Sequence, residues 1–237
     1  MLKCLGASQL TGKSQTLSRK LELLFEQFIQ QVATKQQDLS EIRPILEFIS
    51  RRYSDGWLLL GELFAEPGEL QNYREAIVCL TRYIESPVGS TPHSMAWRTI
   101  AYLAEKEGDY VKQLHALSEM CCSEGAPAFA LAAGCRKINS LLASEESRLH
   151  IDWDVRREFL QKTVEAVDAR IDELDATTCS SLAWLYLSLA DKSDKSGKYR
   201  SRAVEVVEMG LRREQTNRYC QKLLERLETP AARRNPT

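Results

Sequence analysis

The tripeptide Gly12-Lys13-Ser14 is the first feature of this 237-residue chain whose residue types could do chemistry. A glycine, a lysine and a hydroxyl in this order end the phosphate-binding loop, in which they hold phosphate and Mg²⁺. That loop needs a further glycine five residues earlier, where this chain has Ala7. It also needs a preceding apolar strand, and the first residues are polar. The sequence therefore argues against a nucleotide site here.

Cysteine and histidine are the next candidates for chemistry. The seven cysteines include the adjacent pair Cys121-Cys122 but no C-x-x-C pair, so neither a zinc site nor a redox dithiol is indicated. The histidines, His93, His115 and His150, are far apart. Cys121-Cys122 at a helix end is either a reactive pair or a pair of buried, inert thiols. We therefore predict no catalytic residue, no metal and no cofactor, and the protein is not expected to be an enzyme. Free thiols suggest a reducing cytoplasm.

A basic segment near the C-terminus could contact nucleic acid. Residues 198–234 hold ten Lys and Arg against five Glu, although the whole chain has a net charge of only −1. Arg212, Arg213 and Arg218 are the candidate phosphate contacts. The alternative is a solvated end helix whose charges pair at i,i+4 spacing.

The composition favours a helical protein, so helices would have to position any functional site. Hydrophobic residues make up 43% and charged residues 27%, with only 11 Gly and 7 Pro. These values are typical of a globular protein and argue against an all-β fold. No apolar run approaches 18 residues, and no signal-peptide core is apparent at the N-terminus. We therefore expect an all-α, cytoplasmic protein that does not span a membrane.

Two successive helical hairpins occur between residues 54 and 125, each with bulky and small residues at fixed helical spacing. The first has Trp57, Leu60, Gly61 and Phe64, then Ala76, Leu80 and Tyr83. The second has Trp97, Ile100, Ala101 and Ala104, then Gln113, Leu117 and Met120, and Gly108-Asp109-Tyr110 is predicted to be the turn between its two helices. This layout resembles the tetratricopeptide repeat pattern W-x₂-L-G-x₂-Y…A-x₃-F, in which Gly61 would allow close helix approach. The resemblance implies a right-handed solenoid of helical hairpins with a C-terminal capping helix.

The remaining sequence is divided around this pattern. We predict a loose lead-in over 1–16, an atypical hairpin over 17–53, a repeat array with its capping helix over 54–228 and a disordered tail over 229–237. Within the array, the third unit is a helix from Ala128 to Leu142, a polar connection from Ala143 to Asp152, and a helix from Trp153 to Leu174. A loop from Asp191 to Lys198 divides the fourth unit, and the capping helix runs from Thr216 to Leu227.

The resemblance also implies a function. First helices of such repeats line a concave groove that takes a peptide or helix of a protein partner. The groove residues implied here are Asp55, Leu58, Glu62, Ala65, Met95, Arg98, Tyr102, Glu105, Lys106, Ser180, Trp184 and Leu187. We therefore expect a non-catalytic scaffold or adaptor, with Glu62, Arg98, Tyr102, Glu105, Lys106 and Trp184 as its main contacts. A homo-oligomer or a subunit of a larger complex fits this reading, and nucleic-acid binding is the alternative.

Overall fold

The computed structural model describes residues 55–68, 71–86, 91–193 and 197–228, which are almost entirely helical and contain no strand. The helices are α1 Asp55–Ala65, α2 Tyr73–Glu85, α3 Ser94–Glu107, α4 Tyr110–Cys122, α5 Ala128–Ala143, α6 Glu145–His150, α7 Trp153–Asp168, α8 Ala176–Ser193, α9 Lys198–Arg213 and α10 Arg218–Glu228. The predicted lead-in, N-terminal hairpin and tail, with Gly12-Lys13-Ser14, lie outside these ranges. None of the described helices is both long and apolar enough to cross a membrane.

The described residues fall into two compact units, divided between Thr91 and Pro92. In the first unit, α1 packs against α2 as a hairpin. A Cβ at Gly61 would lie 2.5 Å from Leu80 Cγ, so only glycine permits this approach, and Ala76 beside it is fully buried. The prediction that Gly61 allows close packing is thereby confirmed. Asn72 caps α2 by accepting a hydrogen bond from the Glu75 amide.

The second unit begins with the α3–α4 hairpin. Gly108 ends α3 in the left-handed conformation (φ 69°), and Asp109 caps α4 by accepting from the Lys112 amide. The predicted turn at Gly108-Asp109-Tyr110 is therefore confirmed. Gln113, where the repeat family prefers alanine, is buried.

Four helices of the second unit form a ring in which α5 and α7 each pack against α4 and α8. The sequence predicted that α5 and α7 form one unit, but the main neighbours of both helices are α4 and α8. A buried hydroxyl pair, Thr163 donating to Ser118 at 3.0 Å, joins α7 to α4. At the α4–α5 contact, a Cβ at Gly134 would lie 2.2 Å from Cys121 Sγ.

Two predicted boundaries are wrong. The supposed connection 143–152 contains the helix α6, which is anchored by the buried Ser147 hydroxyl donating to the carbonyls of Leu141 and Ser144. The helix expected to reach Leu174 ends at Asp168 and is followed by a 3₁₀ turn. Arg170 explains that ending, because its guanidinium donates to the Ala126 carbonyl and pairs with Glu173. A periodic pattern does not reveal such side-chain bonds.

The last three helices pack on one another. Gly210 brings α9 against α8, because a Cβ there would lie 3.1 Å from Cys179 Cβ and 2.7 Å from Cys220 Sγ. The helix α10 covers α8 and α9 through Cys220, Leu223 and Leu227. Its predicted start at Thr216 differs by two residues, since the side chain of Asn217 provides the cap.

Candidate partner-binding surface

Four helices of the second unit, α3, α5, α8 and α10, are linked side by side by three contacts at their surface. The contacts are the ion pair of Glu105 with Lys137 (3.6 Å), the hydrogen bond from Asn139 Nδ2 to the Ser181 carbonyl (2.8 Å) and the Arg226 guanidinium over the Trp184 ring (4.6 Å). Residues from distant parts of the sequence thereby come together on one side of this unit.

Two adjoining depressions lie on this side. The larger, of about 510 Å³, is bounded by α5, α8 and α10, and the smaller, of about 350 Å³, lies at the start of α5 and α8. Arg136 and Thr177 border both depressions. We call the exposed aromatic and basic residues around them the aromatic–basic face: Phe129, Arg136, Trp184, Tyr219, Lys222 and Arg226.

The aromatic–basic face brings together most of the exposed large apolar side chains of the described residues. Phe129, Trp184 and Tyr219 are 57%, 36% and 66% exposed, and they are three of the five large apolar side chains exposed in the part of the chain that the structure describes. The other two, Val111 and Leu149, do not border either depression. Clustered exposed aromatic residues are typical of interaction sites, whereas single ones are normal.

The charge of the larger depression is positive. Among the residues that the structure describes, its lining includes Arg136, Lys222 and Arg226 and no carboxylate. Neither Arg136 nor Lys222 forms an ion pair within the ranges that the structure describes. Acids occur only in the smaller depression, where Asp175 accepts a 2.7 Å hydrogen bond from the Thr178 amide and so caps α8. Hydrogen bonding from Thr178, with a further contribution from Arg136, lowers the pKa of Asp175.

The residues predicted from the repeat pattern have different environments. On α3, Arg98 is exposed, Glu105 pairs with Lys137, and Lys106 lies 5.3 Å from the centre of the Tyr102 ring. Trp184 is at the centre of the aromatic–basic face. Glu62 is half-buried and belongs to the other unit.

Four of the residues expected to line the groove are buried instead. Asp55, Leu58, Ala65 and Ser180 are each at most 5% exposed, and they cannot offer a side chain to a partner without rearrangement. For Ser180 the reason is visible, because its hydroxyl donates to the Thr177 carbonyl of the same helix. The helical pattern assigned these positions to the open face, but they are part of the packing.

The C-terminal arginines are not equivalent. Arg213 donates to the Leu174 carbonyl at 2.9 Å and to Cys179 Sγ at 3.1 Å, and it lies 3.6 Å from an Asp172 oxygen. These contacts assign Arg213 to the helix packing. Arg213 is nevertheless exposed, as are Arg212 and Arg218. Two further cations of the segment are also used internally, since Arg202 binds Asp168 through two nitrogens and Arg200 donates to the Leu227 carbonyl.

Five members of the aromatic–basic face were not predicted from the sequence. Phe129, Ala132, Arg136 and Asn139 do have the i, i+3, i+7, i+10 spacing of one helical face, which was the available signal. The small residues of α5 obscured it, because they made its register ambiguous. Tyr219, Lys222 and Arg226 are on the helix predicted to be a solvated cap, where a polar surface is ordinary.

The described cysteines include thiols with a raised pKa, and one described histidine packs between aromatic rings. Burial raises the pKa of Cys122 to about 11. A hydrogen bond with Cys135, together with burial, raises the pKa of Cys121. His115 packs between the rings of Trp97 and Phe159. Within residues 55–68, 71–86, 91–193 and 197–228, no three His, Cys, Asp or Glu side chains could hold a metal ion together.

No family model, no curated protein and no solved structure matches this chain. The function must therefore be argued from the surface itself.

Proposed function

We propose that this protein is a non-catalytic interaction scaffold that binds a segment of a partner protein on the aromatic–basic face. The helices would then act as the tetratricopeptide-like hairpins implied by the sequence, with their first helices contributing to one binding surface. Trp184 would be the central contact. Arg98, Tyr102, Glu105 and Lys106 on α3 would extend the surface beyond the Glu105–Lys137 ion pair.

A single observation carries this proposal. Three exposed aromatic residues from α5, α8 and α10 surround two adjoining depressions, and cations lie between them. Tyr, Trp and Arg are the residues most often found at energetic hot spots of protein interfaces. Aromatic side chains lose little conformational entropy on binding and bury about 150–250 Å² each. A partner segment that covers them would therefore gain substantial apolar contact.

Nucleic acid is the second candidate, because of the C-terminal basic residues. Arg213, Arg202 and Arg200 already make internal bonds, which leaves fewer cations for phosphates. Arg212 and Arg218 remain as exposed candidates. Phosphate binding by so few cations would be weak and strongly dependent on salt.

Peptide display on the immobilised 237-residue chain tests the proposal. Selected peptides would be measured by fluorescence anisotropy against wild type, the variant Trp184→Ala/Tyr219→Ala and the control Val111→Ala/Leu149→Ala, which removes exposed apolar groups elsewhere. We expect the first variant to weaken binding at least about tenfold, as loss of buried aromatic contacts usually does. The control should bind as wild type does.

Two results would contradict this function. The first is that no peptide is enriched, and the second is that the control loses binding as much as the face variant. A parallel titration with single-stranded RNA, at about 50 to 200 mM salt, tests the second candidate. RNA binding that disappears in Arg212→Ala/Arg218→Ala would support nucleic acid as the ligand. Arg213 is not mutated in this variant, because its hydrogen bonds within the protein contribute to helix packing.

A further inference from the structure

We propose that the segment bound by the aromatic–basic face is acidic. An apolar side chain would pack beside Trp184, and carboxylates on either side of it would bind Arg136, Lys222 and Arg226. This inference rests on the proposed function and specifies the chemistry of its partner. It concerns side-chain carboxylates within a segment and does not require a free C-terminus.

The arrangement of the cations is the first argument. Lys222 and Arg226 are four residues apart and so occupy one side of α10, while Arg136 approaches the same depression from α5. Trp184 lies in the same lining on α8, the helix that packs against both α5 and α10. A segment crossing from α5 to α10 would thus meet positive charge, an apolar centre, and positive charge again. An acidic segment with a central apolar residue complements that order.

Electrostatics excludes the opposite choice. Like charges brought together at an interface cost several kcal/mol, so a basic segment would be rejected by three cations without a carboxylate in the same depression. A guanidinium also binds a carboxylate through two parallel hydrogen bonds, which gives such a contact direction as well as strength. Residues 229–237 of this chain carry two arginines and no acid, so their charge does not complement this face.

The same geometry disfavours single-stranded nucleic acid as the occupant. Proteins that bind single strands stack bases on open aromatic rings. Here the Arg226 guanidinium lies 4.6 Å from the centre of the Trp184 ring, over the face on which a base would stack.

A charge-reversal experiment tests this inference. The probes are two short labelled peptides, acetylated and amidated at their ends, each with one Phe and one Leu. One has glutamates around them and the other has lysines at the same positions. They are measured with wild type, with Arg136→Glu/Lys222→Glu/Arg226→Glu, and with the control Arg74→Glu/Arg148→Glu/Arg212→Glu, which reverses three exposed cations elsewhere.

Wild type and the control should bind the acidic peptide at least about tenfold more tightly than the basic one, and the face variant should reverse this preference. If the triple variant unfolds, Lys222→Glu alone serves, because Lys222 is exposed and has no ion pair with another described residue. It should weaken acidic-peptide binding by about three- to tenfold.

The outcomes separate this inference from the proposed function. Display peptides that depend on Trp184 and Tyr219 but show no preference for acids would overturn the inference and leave the function intact. Absence of any peptide that depends on the face would overturn both. Displacement of a bound acidic peptide by single-stranded RNA, with tighter binding of the RNA, would assign the face to nucleic acid.

Discussion

Replacing Gly134 by alanine should destabilise the contact of α4 with α5. The added Cβ would lie 2.2 Å from Cys121 Sγ and 3.1 Å from Met120 Cε, where unstrained contacts are about 3.5–4.0 Å. The flexible end of Met120 can move, but Cys121 Sγ can move only by changing rotamer among buried neighbours, because this side chain is 2% exposed. Overpacking of this kind costs about 1–3 kcal/mol, and the higher helix propensity of alanine returns about 0.5–1 kcal/mol. The expected net loss is about 1–2 kcal/mol.

A double-mutant cycle tests the cause of that loss. Cys121→Ala alone should cost about 1–2 kcal/mol, because it removes a buried atom and leaves a small void. In Gly134→Ala/Cys121→Ala the new methyl group would fill that void. The double variant should therefore be more stable than the sum of the two single losses by about 1–2 kcal/mol.

Thermal unfolding followed by circular dichroism measures these differences, and Gly134→Ala should lower the midpoint by about 2–8 °C. Gly68→Ala is the matched control. No atom lies within 4 Å of a Cβ placed there, so its stability should stay within about 0.5 kcal/mol of wild type. Wild-type stability in Gly134→Ala, or strict additivity in the double variant, would refute the close approach of these helices.

Three further predictions concern polar groups. Asp175→Ala should cost about 1 kcal/mol of stability, because it removes the cap of α8. The native pKa of Asp175 is lowered, so its stabilising contribution should be lost as pH falls through that pKa. Acid titration of wild type beside the variant checks both effects. The pKa values of Cys122 and Cys220 are about 11 against an ordinary 9.0, so native thiols should react slowly with a disulfide reagent near neutral pH. Since unfolded thiols ionise first, the free energy of unfolding should fall as pH rises from about 9 to about 11. Tyr186→Phe should cost about 1 kcal/mol, measured by urea unfolding, by removing the hydrogen bond to Asp168.

Local features of the fold were predictable because their causes are local. Gly61 faces Leu80 across one hairpin, and the spacing of large and small residues in sequence reports such a contact directly. The turn at Gly108-Asp109 likewise depends on a glycine that tolerates positive φ and an aspartate that caps the next amides. For the same reason, α10 was placed within two residues of its observed start.

The features that were predicted wrongly or missed depend on contacts between residues that are distant in sequence. The ending of α7 is set by Arg170, which reaches the Ala126 carbonyl 44 residues earlier. Helix α6 depends on the buried hydroxyl of Ser147, in a stretch that looks like a polar loop. The aromatic–basic face combines side chains of α5, α8 and α10, and each helix alone has an ordinary surface pattern. A single sequence contains no record of which helices become neighbours, and only Trp184 was selected in advance.

The stacking of Arg226 on Trp184 gives the aromatic–basic face an optical property. A half-exposed indole emits at longer wavelengths than a buried one, and a charge 4.6 Å from the centre of its ring also changes its emission. A ligand that covers the ring or draws the guanidinium away would alter both the polarity and the field at the indole. Among the four tryptophans, Trp184 is thus the one placed to report whether a ligand occupies the face. Binding could then be followed by the intrinsic fluorescence of the unlabelled protein.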